Sequence, residues 1–209
     1  MHDYKMLAYQ ADNPSDRQSI IDHLDTVLPS LWHDEYLTKT RSPANILTVT
    51  FGDESRRQHF VRYMFDHTSG HPKLKALSAA ALKQHTHDRV VAVWGLSRSE
   101  PGRTRDTTRM KGFLQGVWSA QYGGDDRGHF FAHTMGGGLD INLFPQVRAV
   151  NRWGLWREME TYCAQNPGTF CFIRPIYADR TWRPARLEYG IFKLPPQHAL
   201  AFWGAEFGN

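Results

Sequence analysis

The sequence predicts an α+β fold, and three features carry that expectation. Short runs rich in β-branched and aromatic residues recur: "ANILTVTF" (44–51), "RVVAVWGL" (89–96), "TFCFIRPIYA" (169–178) and "ARLEYGIFKL" (185–194). Other stretches repeat apolar residues at helical spacing, most clearly around residues 20–31. The two types are not evenly mixed. Residues 1–87 read as a mostly helical region of unknown role, and residues 88–209 as a compact unit of strand, loop, helix and hairpin.

In chain order, "NPSDRQSIIDHLDTVLPSLW" reads as a helix. Ser15 with Gln18 three positions on forms a capping box, and Ile20, Ile21, Leu24, Val27, Leu28 and Leu31 share a face. Residues 44–51 follow as a strand. "DESRRQHFVRYMFDH" has Phe60, Tyr63 and Met64 at helical spacing and is expected to be helical, stopped by Gly70 and Pro72. "PKLKALSAAALKQH" is another expected helix, with Pro72 in its first turn. Residues 89–96 form a strand, and residues 112–122 suit either helix or strand. "GLWREMETYCAQN" (154–166) is a helix that ends before Pro167 and Gly168. Residues 169–178 and 185–194 are expected to pair as a hairpin, with "ALAFW" as a last short strand.

The 209 residues contain 41% hydrophobic side chains, including seven Trp and twelve Phe, which is enough apolar surface for a core and excludes a disordered chain. Twenty-five Lys and Arg against twenty-one Asp and Glu give a net charge of +4, a mild bias toward anionic partners. "SRSEPGRTRDTTRMK" concentrates Arg98, Arg103, Arg105, Arg109 and Lys111 and reads either as a solvated loop or as a segment facing phosphate. Two cysteines, Cys163 and Cys171, form no CxxC pair; they read either as two small buried thiols, the favoured state, or as a disulfide if the chain meets an oxidising compartment. No apolar run approaches a membrane span, and "MHDYKMLAYQ" has no charged-then-apolar signal pattern.

The densest chemistry lies in "DDRGHFFAHTMGGGLDINLFPQVRAVN" (125–151). His129 and His133 stand four apart, as in a helical zinc pair, but Phe130 replaces the glutamate that a zinc protease needs after its first histidine. The three glycines are followed by Leu139 and Asp140, which is no nucleotide-binding loop.

The combination is more specific than its parts. Asp126-Arg127-Gly128-His129, Gly136 to Gly138, Asn142-Leu143-Phe144-Pro145-Gln146, Asn151, Trp156 and Glu160 together resemble the DNA/RNA non-specific endonuclease family of the ββα-metal (His-Me finger) nucleases, in particular its bacterial toxin branch. The likeness covers roughly residues 88–194 and leaves about the first 85 unplaced. It implies a ββα-metal nuclease core, a small antiparallel sheet with a metal-site helix, in which His129 is the general base and Asn151 binds the metal. Glu160 would hold water in the metal's shell. Arg127 would steady charge on the phosphate. An upstream arginine, Arg109 or Arg105 with Arg103 behind them, would contact the scissile phosphate. Asn142 or a backbone carbonyl would fix the tautomer of His129; alternatively Asn142 ties the loop to the metal helix. The implied cofactor is Mg²⁺, with Mn²⁺ as a substitute. The implied partners are DNA, RNA or both, plus a cognate immunity or inhibitor protein, and no membrane. The implied setting is the cytoplasm, or delivery from the cell as an effector without a signal peptide. A catalytically inactive nucleic-acid-binding or interaction module with the same fold is the alternative.

The implied chemistry suits these side chains. An imidazole with an ordinary pKa of about 6.5 accepts a proton near neutrality. Mg²⁺ keeps most of its waters, so one amide oxygen and a supporting carboxylate suffice. One departure stands out. The family spaces the metal asparagine and the glutamate by eight, whereas Asn151 and Glu160 are nine apart. At about 100° per residue, nine steps of one continuous helix place two side chains on opposite faces. Either an extra residue lies between Arg152 and Gly154, or Glu158 takes the role. The Trp156–Glu160 spacing, which matches the family, favours Glu160.

Overall fold

The computed structural model describes residues 2–40, 46–53, 59–66, 89–99, 104, 106–112, 121–139, 142–179 and 181–209. The architecture is α+β. Two helices open the chain, α1 (Tyr4–Tyr9) and α2 (Arg17–Thr40). Six strands follow in one sheet: β1 (Ile46–Asp53), β2 (His59–Asp66), β3 (Arg89–Leu96), and, after a long excursion, β6 (Phe170–Ile176), β7 (Arg186–Lys193) and β8 (Ala201–Gly208). Among the described residues the sheet order is β1-β2-β3-β6-β7-β8, and every neighbouring pair is antiparallel. The excursion carries α3 (Thr107–Gly112), the two-stranded pair β4 (Asp126–His129) and β5 (Leu143–Gln146), and the helices α4 (Arg148–Arg152) and α5 (Leu155–Gln165).

The expected strands at 44–51, 89–96, 169–178 and 185–194 and the helix at 154–166 are present, and β6 pairs with β7 in the register Phe170↔Phe192 to Ile176↔Arg186. "ALAFW" begins a full eight-residue strand rather than a short one. The helix expected around 72–85 lies outside the described residues, as does most of 112–122.

Two expectations are corrected. Residues 59–66 form strand β2, not a helix. The strand is sandwiched between β1 and β3 and buried on both faces, so Phe60 and Met64 point to one core and Val61, Tyr63 and Phe65 to the other. A central strand covered on both sides reads as an almost continuous apolar run, and such a run also satisfies helical spacing. The cap of α2 is Asp16, not Ser15: its carboxylate accepts from the Ser19 backbone N–H at 2.7 Å, while the Ser15 N–H donates to Asn13.

Strand alternation divides the core in two. Phe170, Phe172, Phe192 and Trp94 pack beneath α1 and α2, where Trp32 lies edge-on to Trp94 with ring centroids 5.7 Å apart. Cys171, Ile173, Tyr189, Ile191 and Val93 point to the opposite face and pack against the excursion. The molecule therefore has three layers: helices α1 and α2, the sheet, and the β4–β5 unit with α5. The sheet is larger than the small one expected, because β1 and β2, from the region expected to be mostly helical, extend it beyond β3.

Candidate active site

All the chemistry singled out between residues 125 and 160 lies in the excursion between β3 and β6, strands that pair directly with each other. Ser97 closes its neck. The Ser97 N–H donates to Thr169 O at 2.9 Å, its carbonyl accepts from Gly168 N–H at 2.6 Å, and its hydroxyl donates to Cys163 O at 2.9 Å.

Within this frame β4 and β5 run antiparallel, with Asp126 opposite Gln146 and His129 opposite Leu143. The loop joining them is braced by Asn142. This fully buried side chain accepts from Phe131 N–H at 2.8 Å and donates to Phe131 O at 2.7 Å and Gly138 O at 2.8 Å. Gly137 is required there: a Cβ would stand 1.7 Å from the Phe131 carbonyl oxygen. Phe130 stacks on Phe144 at 4.2 Å, and Phe144 meets Trp156 of α5 edge-on, which docks the pair of strands onto that helix. A short 3₁₀ turn, His133–Met135, lies between the strands.

These elements enclose a cleft of about 600 Å³. Asp126, Arg127, His129 and His133 line it from one side and Asn151 and Glu160 from the helices, with Met110 and Lys111 of α3 at another edge. Asp126 ties the two sides together. Its carboxylate accepts from Asn151 Nδ2 at 3.1 Å, from Arg152 Nε at 2.6 Å and Nη2 at 2.8 Å, and from Arg148 Nε at 3.3 Å. Partial burial pushes this carboxyl upward, but the hydrogen bonds from Arg152 and Asn151 outweigh burial and hold it below the usual carboxylate range. The bond from Asn151 commits the NH₂ end of the amide and turns its carbonyl oxygen away from Asp126. Val147, just before α4, donates its N–H to the Asn209 side chain at 2.8 Å and so anchors the start of that helix.

Glu160 is 5% exposed and held rigidly: Trp156 Nε1 donates to Oε1 at 3.0 Å, and Arg157, one turn away, pairs with Oε2. Burial pulls the Arg127 guanidinium down from its ordinary value, although an arginine stays charged across the working pH range.

The nine-residue spacing now has a physical account. Helix α4 ends at Arg152, Trp153 is extended (φ −139°, ψ 169°), and Gly154 takes φ 70°, ψ −157° before α5 begins. The helical phase does not run through this break, so Asn151 and Glu160 reach one cleft despite nine steps. Glu158 is exposed in the first turn of α5 and does not line the cleft.

No protein-family model matches this chain, and no curated protein matches it.

Of the residues singled out beforehand, Arg127, His129, Asn151 and Glu160 share the cleft. Asn142 does not line it; its amide hydrogen-bonds to the backbone of its own loop at Phe131 and Gly138 rather than to the metal-site helix, so the expected tie between loop and helix is not made by this side chain. Arg109 lies on α3, whose Thr107, Met110 and Lys111 line the cleft, but its side chain is outside the described residues, as are Arg103 and Arg105. Cys163 and Cys171 are buried free thiols. Two contributors were given no role beforehand, Asp126 as the brace of Asn151 and its partner Arg152. Lys111, from the segment with a phosphate-facing reading, lines the cleft, as does His133, read from the sequence only as half of a zinc pair, whose ring centroid is 6.2 Å from that of His129. Asp126 was visible inside Asp-Arg-Gly-His, but its role depends on where α4 sits, which no local pattern encodes.

Proposed function

We propose that this protein is a Mg²⁺-dependent nuclease that hydrolyses phosphodiester bonds of DNA, RNA or both through a ββα-metal site. One observation carries the reading: His129 and Asn151, twenty-two positions apart, line the same cleft together with Arg127 and Glu160.

Among the described residues no group of three His, Cys, Asp or Glu side chains is placed to hold a metal, so a zinc-type cage is not the model for this site. Among the groups lining the cleft, the Asn151 carbonyl and the Glu160 carboxylate offer oxygen donors. That set fits Mg²⁺, which accepts few protein ligands and retains its waters. Asn151 would hold the ion directly and Glu160 through its waters, and the bound ion would offset negative charge on the phosphate and the departing oxygen.

The protein's own groups supply the rest. The His129 imidazole takes the proton of the attacking water. Arg127, two residues earlier on β4, faces the phosphate with a charge that needs no proton adjustment. Asp126 fixes the amide of Asn151, and Trp156 with Arg157 fixes Glu160, so both oxygen donors are positioned before substrate arrives. Contacts of this kind address phosphate rather than bases, which agrees with cutting of little sequence preference. We further propose that the activity serves an antibacterial effector held in check by a cognate immunity protein.

Purified protein incubated with supercoiled plasmid and Mg²⁺ is expected to nick and linearise it, EDTA to stop this, and His129→Ala to lower the rate about 100-fold to 10,000-fold while staying folded. Expressed in a bacterial cytoplasm, the parent arrests growth and His129→Ala does not. Cleavage by His129→Ala at the parental rate sinks the assigned base. Stable binding of plasmid by the parent without cleavage makes the chain a binding module instead.

A further inference from the structure

The break between α4 and α5 places an unusual side chain on the surface. Trp153 is 63% exposed, the most exposed large hydrophobic residue among those described. The extended Trp153 and the positive φ of Gly154 turn the chain outward there, and Leu155, 40% exposed, follows on the other side of the glycine. Helix geometry does not require this exposure: Trp156, three positions later, is fully packed against Phe144 and Tyr189.

The surroundings of Trp153 indicate what covers it. Arg152, its neighbour, reaches into the cleft to pair with Asp126. Arg148, Arg152 and Arg157 are each about half exposed, and Glu158 is the only acid between positions 148 and 158. An exposed indole in a segment that also carries three half-exposed arginines, whose guanidiniums pair with the cleft's Asp126 and Glu160, suits a nucleic acid whose backbone runs along the proposed phosphate cleft and whose base meets the indole. A paired, stacked base has no open face to offer, whereas an unpaired one does.

We infer that Trp153 is a stacking platform for an unpaired base next to the scissile phosphate, making single-stranded nucleic acid, or a locally opened duplex, the preferred substrate. This inference rests on the nuclease reading and adds the form of the substrate to it. Trp153 is a positioning residue for the strand and takes no part in the bond-making step.

The test uses the full chain carrying His129→Ala, so that substrate persists, with and without Trp153→Ala or Trp153→Phe. The probes are a fluorescein-labelled single-stranded oligonucleotide, the same sequence as a blunt duplex, and a single strand containing one 2-aminopurine. Trp153→Ala is expected to weaken single-strand binding about 5-fold to 150-fold, the range that loss of one stacked base implies, with a smaller loss on the duplex. It is also expected to abolish the quenching of 2-aminopurine and to leave the melting temperature unchanged; Trp153→Phe keeps most of the affinity. Equal single-strand affinity and equal quenching with and without the indole overturn this proposal alone if the parent chain cuts plasmid. Failure of the His129→Ala protein to bind either form overturns it together with the nuclease reading.

Discussion

At the scale of single residues, Asp126 joins both halves of the cleft. Its carboxylate is the only described contact that fixes the amide of Asn151, and two arginines compete for the same oxygens. Asp126→Asn keeps the size but removes the charge that draws in Arg152. The Mg²⁺ concentration for half-maximal plasmid cleavage is expected to rise about 10-fold to 100-fold, the usual effect of losing a residue that orients a metal ligand. An unchanged metal requirement rules out the bracing role. The same substitution has a signature in stability. The folded carboxyl is held below its unfolded value of about 3.9, so it stabilises the fold above that pH and ceases to do so as pH falls through the lower folded value. The gap in melting temperature between parent and Asp126→Asn should be full near neutrality and close progressively below about pH 4. A gap that persists in strong acid would mean that the charge is not its source.

At the scale of elements, Gly154 decides whether Asn151 and Glu160 share a cleft. Its φ of 70° with ψ −157° lies in a region open essentially to glycine alone. Gly154→Ala is expected to cost about 1–3 kcal/mol in urea denaturation; a loss near zero would show that the break tolerates a Cβ. This break also shows how much of the site was legible in the sequence. The residue types and the Trp156–Glu160 pair on one helix face were readable, because i,i+4 spacing is a local property. The nine-residue gap posed the right question, and Gly154 was the visible clue to its answer. The bracing of Asn151 was hidden, since it needs α4 to lie beside the start of β4, residues more than twenty positions apart in the chain. The fold was uneven in the same way. Edge strands and the β6–β7 pair were evident from their composition, whereas β2 was misread because burial on both faces erases the two-residue alternation that marks a strand.

At the scale of the whole molecule, the N-terminal helices sit across the sheet from the cleft and are tied to it by a buried polar cluster. Tyr4 donates to Glu188 at 2.7 Å and accepts from Trp32 Nε1 at 3.3 Å, and Arg174 bridges Glu188 and Glu35. Burial first, then the hydrogen bond and negative charge of Glu188, push the Tyr4 phenol well above its ordinary value of about 10. A raised phenol stabilises the fold fully below the unfolded pKa, and that contribution is lost as pH climbs from about 10 toward the higher folded value. The parent is therefore expected to lose stability to urea steeply above about pH 10 and Tyr4→Phe less steeply. Parallel pH profiles would place the alkaline weakness elsewhere, in Tyr189 for example, whose phenol is also raised, by burial first.

The closure at Ser97 has a consequence for how such a molecule diversifies. The strands on either side of the excursion are hydrogen-bonded to each other, so the excursion enters and leaves the sheet at one seam, while its Phe131, Met135, Trp156 and Met159 cover the sheet's second face. Any segment exchanged at that seam has to bring its own apolar face to cover Val93, Cys171, Ile173, Tyr189 and Ile191, which the present one buries.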